Sequence, residues 1–171
     1  MKSKKLLFLF FLVGTSIWAN PTLPDVQTGD VTTSLEDNRV TITQTSPYAI
    51  INWETFSIEK GEKTEFIHST RDAFTLNRVV GNVSSNIYGH LKSNGSIYLI
   101  NEKGIFIAKE GRVETCGFLA TTLALSDEAF LKGEELSFSS NSKAKLVNCG
   151  EIKALFVYIY LISKEIEHNG N

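Results

Sequence analysis

Ile97-Tyr98-Leu99-Ile100-Asn101-Glu102-Lys103-Gly104-Ile105-Phe106-Ile107 decides how this chain folds. Two short blocks rich in β-branched and aromatic residues flank an Asn and a Gly, the residue types that turn a corner. Side chains alternate between the two faces of a strand, so Ile97, Leu99, Ile105 and Ile107 share one side, and Ser96, Tyr98 and Phe106 the other. The aliphatic set is expected to point inward, each side chain contributing about 1.5–3 kcal/mol on burial.

Outward from this run the same grammar repeats. Val31 to Leu35 and Val40 to Thr45 alternate with a period of two around the turn Glu36-Asp37-Asn38-Arg39, an early β-hairpin. Tyr48 to Ile51, Glu54 to Ile58, Thr64 to His68 and Phe74 to Val80 continue the series, and Ala154 to Ile162 is expected to be a buried strand. Gly89, Gly111 and Gly133 are each 22 residues apart, as are Gly95 and Gly117, while Gly81 and Gly104 are 23 apart. A recurring period of about 20 or more residues is the mark of stacked repeats, here the coils of an all-β parallel β-helix. Each coil can bury its inward side chains only under another coil. The hairpin before Ser46 is placed to cap the N-terminal end, where unpaired backbone needs protection.

The first residues read differently. Three lysines within Met1 to Lys5 precede the unbroken apolar run Leu6 to Val13, and Ala19 offers a small residue for a peptidase, the shape of a secretory signal over residues 1–19. Eight apolar residues are too few to span a bilayer, which takes roughly 20. A net charge of −2 with scattered lysines gives no footprint for a nucleic-acid partner.

Three blocks carry a resemblance to a known family. Ala49-Ile50-Ile51-Asn52-Trp53-Glu54-Thr55-Phe56-Ser57-Ile58, Leu76-Asn77-Arg78-Val79-Val80-Gly81 and Gly95 to Ile105 stand in the order and spacing of the two-partner secretion domain. That domain heads filamentous-haemagglutinin, haemolysin and contact-dependent toxin exoproteins, and the resemblance runs from about Asn20 to about Asn169. Leu119 to Phe130 is similar to the family's excursion from the coils. The family's Asn-Pro-Asn-Gly-Ile motif stands here as Asn101-Glu102-Lys103-Gly104-Ile105, without the Pro and the second Asn. Asn-Pro-Asn-Leu has no clear copy; Asn20-Pro21-Thr22-Leu23 sits at the expected mature N-terminus. The resemblance implies a right-handed parallel β-helix, exported by the signal and recognised by an outer-membrane β-barrel transporter (TpsB type) through its periplasmic domains. It implies a secreted or cell-surface adhesin, haemolysin or toxin that meets a host-cell surface through coils downstream. Asn77, Arg78, Asn101, Gly104 and Ile105 are the candidate recognition residues, with corner-forming and structural support as the competing roles.

Catalysis finds little purchase. His68, His90 and His168 have no metal-ligand spacing, neither Cys lies in a paired motif, and Asp127 and Glu128 fall in an expected solvated turn. No catalytic residue, cofactor or metal is expected. A β-helical polysaccharide-active enzyme stays as the alternative, because acids from successive coils can converge on one face. Cys116 and Cys149 are 33 residues apart, one and a half coils. If Thr121 to Leu131 loops out by about 10 residues, they return to stacked positions where a disulfide can form. After Phe156 to Ile162 no polar cap follows, so a C-terminally truncated solenoid is expected over residues 20–171, including a non-functional fragment as a further reading.

Overall fold

A computed structural model describes residues 20–133 and 135–171; the expected signal segment lies outside them. Three parallel sheets wind into a β-solenoid. Sheet A stacks β4 (Tyr48–Thr55), β6 (Phe74–Val79), β9 (Ser96–Ile100), β12 (Gly117–Thr121) and β15 (Ile159–Ile162), with β1 (Thr22–Thr28) antiparallel at its N-terminal edge. Sheet B holds β2 (Val31–Glu36), β3 (Arg39–Gln44), β5 (Lys63–His68), β8 (His90–Ser93), β11 (Arg112–Thr115) and β14 (Glu151–Ala154). Sheet C is narrow, with β7 (Ser85–Ile87), β10 (Ile105–Ile107), β13 (Leu146–Asn148) and β16 (Ile166–His168). Five strands of sheet A in parallel order make five coils.

Coil length in the middle of the molecule matches the glycine period. Ile105 stacks on Ser85, Gly117 on Ser96 and Arg112 on His90, separations of 20, 21 and 22 residues. The corner from sheet C to sheet B is built on a ladder of Gly89, Gly111, Gly150 and Gly170. A Cβ on Gly111 would lie 2.2 Å from the Ile87 carbonyl oxygen, and one on Gly150 2.4 Å from that of Ala108. Backbone passes over backbone there, so no side chain fits. Gly133 is not part of this ladder: it ends helix α1 (Asp127–Lys132) in the left-handed conformation at φ 63°.

Ile97, Leu99, Ile105 and Ile107 all point into the solenoid, where they pack with Trp53, Phe56, Phe66, Leu91 and Phe118. The outer face of sheet A is buried as well. Ile50, Leu76, Tyr98, Ile100 and Leu119 form a second core with Leu125 and Phe130, so every residue of β9 is buried. The excursion provides that cover. It leaves after Thr121, not from Leu119, and returns at Leu146, so Leu146 lies 41 residues beyond the Ile105 on which it stacks.

The insertion is therefore close to one whole coil rather than about ten residues, which settles the cysteines. Cys116 and Cys149 are free thiols at different corners of the solenoid. Cys116 hydrogen-bonds by its N–H to Gly95 beneath it, whereas the N–H of Cys149 donates to Ile107 at the opposite corner. A bridge between them has no geometry to form. Ala154 to Ile162 also departs from expectation. Its first residue ends β14, Leu155–Val157 turn an exposed corner, and β15 is half covered as the last strand of sheet A among the described residues.

At the other end the hairpin is present, β2 against β3 through Asp37-Asn38, with Asp37 at φ 49°. β3 is already the first strand of the solenoid, since it pairs in parallel with β5. The cap is thus β1 over sheet A and β2 over sheet B, and the sequence reading had only its second half.

Candidate functional site

β6 places Asn77 and Arg78 on opposite faces of sheet A, as strand alternation requires. Asn77 enters the solenoid interior, stacked between Ile51 and Leu99 and fully buried. Its Oδ1 accepts the indole N–H of Trp53 at 3.0 Å, and its Nδ2 donates to the Tyr98 carbonyl at 3.3 Å. The side chain satisfies a buried Trp and offers no surface to a partner of the folded domain. Arg78 points the other way. Its guanidinium donates to the Leu125 carbonyl at 2.9 Å and to Asp127 Oδ1 at 2.5 Å, pinning the start of α1 to sheet A. Asp127 is thus solvated, as expected, but stands in the first turn of α1 and pairs with Arg78.

The corner Asn101 to Gly104 joins sheet A to sheet C. Asn101 is buried; its Oδ1 accepts from the Lys103 N–H at 2.8 Å, and its Nδ2 reaches Val83 O and Ser85 Oγ, each at 3.0 Å. The side chain therefore makes the turn and ties it to the previous coil. Gly104 closes the turn at φ 117°, a conformation an L side chain rarely adopts, with its N–H donating to Asn101 O. Ile105 follows into the core. Only Glu102 and Lys103 project outward. Glu102 is held by the returning excursion, its carboxylate accepting from Ser140 Oγ and its carbonyl from Ser142 Oγ at 2.7 Å. Arg78 and the Asn101 corner, separate blocks in sequence, are joined in space through the two ends of one excursion. Arg78, Val80, Glu102 and Lys103 line a shared groove of about 310 Å³.

Sequence reasoning missed this cover because Ser140 and Ser142 carry no pattern of their own. It also missed Tyr158, whose hydroxyl donates to that of Tyr98 at 2.9 Å; burial foremost, and Tyr98 beside it, push the Tyr158 phenol up.

The acids that a carbohydrate-cleaving site would need lie on the outer face of sheet B, where they alternate with bases. Glu65, Lys92, Glu114 and Lys153 stack in register. Lys63 meets Glu65 at 2.9 Å and Lys153 meets Glu151 at 2.7 Å. Burial works to raise the Glu65 carboxyl, but Lys63, Arg39 and Lys92 prevail and hold it below its usual range. These carboxylates form a ladder of ion pairs. No cluster of three or more His, Cys, Asp or Glu fit for a metal occurs among the described residues.

The solenoid fold is shared with known proteins. Residues 16–171 match the TPS secretion domain family. The chain belongs to that family. As a TPS secretion domain it superposes on the HMW1 secretion domain from Haemophilus influenzae with a TM-score of 0.80 at 31% identity, covering 88% of this chain and 41% of that one. Two heme/hemopexin-binding proteins of Haemophilus influenzae are 34% and 35% identical to it over 97 and 105 residues. Those matches take in 57% and 61% of this chain but only 11% and 10% of the relatives, so the matched stretches span about a tenth of their length. None of these relatives is named as an enzyme.

Proposed function

We propose that residues 20–171 act as the secretion module of a larger exoprotein, exported under the signal at residues 1–19 and passed to the cell surface by a partner outer-membrane β-barrel transporter. The family match over residues 16–171 carries this reading. In it the Asn101–Ile105 corner acts through shape: Asn101 and Gly104 hold the turn, Ile105 anchors it, and Glu102 and Lys103 are the atoms a partner can reach. Arg78 keeps the cover closed beside that corner. The missing Pro and second Asn cost no turn geometry, because Asn101 and Gly104 supply it. Haem or hemopexin binding belongs to the named relatives, and in this reading any such activity would reside in coils beyond the secretion module.

Co-expression of the chain with a cognate outer-membrane transporter tests the reading. Release into the medium is expected with the transporter and not without it. Retention in the periplasm, with a transporter that exports another substrate normally, would refute it.

A further inference from the structure

The two strands that close the N-terminal end are protected very differently. β1 carries Pro24, a left-handed Leu23 at φ 50° and a register break between Val26 and Thr28, all devices that spoil an edge for further pairing. β2 has none of them. It pairs with β3 through six residues in unbroken register, and its Val31-Thr32-Thr33-Ser34-Leu35 run contains no Pro, no Gly and no charge. The Thr45 N–H donates to the Asp30 carbonyl at 3.0 Å, which fixes the alternation. Asp30, Thr32, Ser34 and Glu36 turn their backbone groups toward β3, and Val31, Thr33 and Leu35 present N–H and C=O to the free edge. Among the described residues no strand takes them up.

Beside this edge lies an apolar cavity of about 350 Å³ lined by Leu23, Pro24, Leu35, Val40 and Trp53. Leu23 and Leu35 at its rim are 74% and 63% exposed. Charge marks the same place. Residues 20–38 hold Asp25, Asp30, Glu36 and Asp37 and no Lys or Arg, whereas residues 39–171 hold 15 acids and 14 bases. The four cap acids are all exposed.

We infer that the free edge of β2 is a docking site for an extended strand of the partner transporter, one with an apolar side chain for the Leu23–Trp53 cavity and Lys or Arg flanking it. Backbone pairing supplies affinity, the cavity and the acidic rim supply selectivity, and the added strand extends sheet B by one. This rests on the transporter reading above.

The test is secretion of the full chain by its own transporter, with three variants. Thr33→Pro removes an outward N–H without touching the β2–β3 ladder. Asp30→Lys combined with Glu36→Lys cancels the net charge of the rim, two acids against two bases, should the proline variant fail to fold, and Glu110→Lys reverses an exposed charge far from the cap. The amount in the medium should fall at least tenfold for Thr33→Pro and for the double variant, with unchanged thermal melting, and stay at the wild-type level for Glu110→Lys. Wild-type chain released normally and both cap variants released equally well would overturn the β2 site while leaving the transporter reading intact. Wild-type chain not released at all would overturn both. A concentration-dependent dimer in sedimentation, lost in Thr33→Pro while secretion is unaffected, would give the edge to a second copy and overturn the assignment to the transporter.

Discussion

Acid should weaken this domain in large part through His68. It lies at the corner from sheet B to sheet A, 3% exposed, in a network that joins three coils. Thr75 Oγ1 donates to Gln44 Oε1 at 2.6 Å, so its single proton is committed and His68 Nε2 must donate to it across 2.7 Å. Nδ1 is then the acceptor for Ser93 Oγ at 3.2 Å. Neutral imidazole satisfies every partner, none of these partners is a carboxylate, and burial depresses the group from 6.5 to about 4. The unfolded chain binds a proton near pH 6.5 that the folded chain refuses until about pH 4, so stability is complete above 6.5 and falls as pH drops through that window. At 1.36 kcal/mol per unit the loss amounts to about 3 kcal/mol. Urea unfolding at pH 7.5, 5.5 and 4, run beside His68→Gln, isolates this contribution from that of the carboxylates. Gln cannot titrate, and the wild type should lose about 3 kcal/mol more than the variant across the range. Parallel stability curves for the two proteins, or a His68 ring titrating near 6.5 by NMR in the folded state, would refute the reasoning.

Other perturbations follow from the same geometry. Asn77→Ala leaves the Trp53 indole N–H unpaired in the core and should cost about 2–4 kcal/mol in urea unfolding; an effect below about 0.5 kcal/mol would mean that water or a rotamer change replaces the bond. Arg78→Ala should raise hydrogen exchange of residues 122–133 at least tenfold while the amides of β5 and β8 keep their protection, since the guanidinium bonds to the excursion and to Asn52 of β4 and to neither of those strands. Gly111→Ala puts a methyl 2.2 Å from the Ile87 carbonyl and should cost about 3 kcal/mol or more, against about 1–3 kcal/mol for Gly104→Ala, whose clash is milder and whose φ is strained. Alkylation without reductant should label both thiols on unfolding but only half-buried Cys149 rapidly in the native state, because Cys116 is buried and donates to the Asn94 carbonyl; a single disulfide-linked species by mass would contradict the corner assignment.

Strand alternation and corner chemistry are local, and that is why so much could be read directly. Ile97, Leu99, Ile105 and Ile107 had to share a face because successive residues in a strand point oppositely, and Asn101 with Gly104 had to turn because few other residues can. The 22-residue spacing of Gly89 and Gly111 reflected real stacking, since each passes over backbone that leaves no room for a Cβ. The same spacing misled at Gly133, where a helix C-cap asks for glycine for an unrelated reason. The three family blocks likewise located β4, β6 and β9 with the corner after it.

The amino-acid sequence by itself therefore determined the repeating coil, its inward face and the family, because those depend on near-neighbour sterics and on residue order. Tertiary structure alone decided what lies over the coils. The length of the excursion sets the phase of everything after it, which separates Cys116 from Cys149; its Ser140 and Ser142 cover the Glu102 corner; and β1, rather than the hairpin alone, completes the cap. Each is a contact between segments far apart in the chain, fixed only when the coils stack and bring their outer faces and edges together, and no local pattern encodes it.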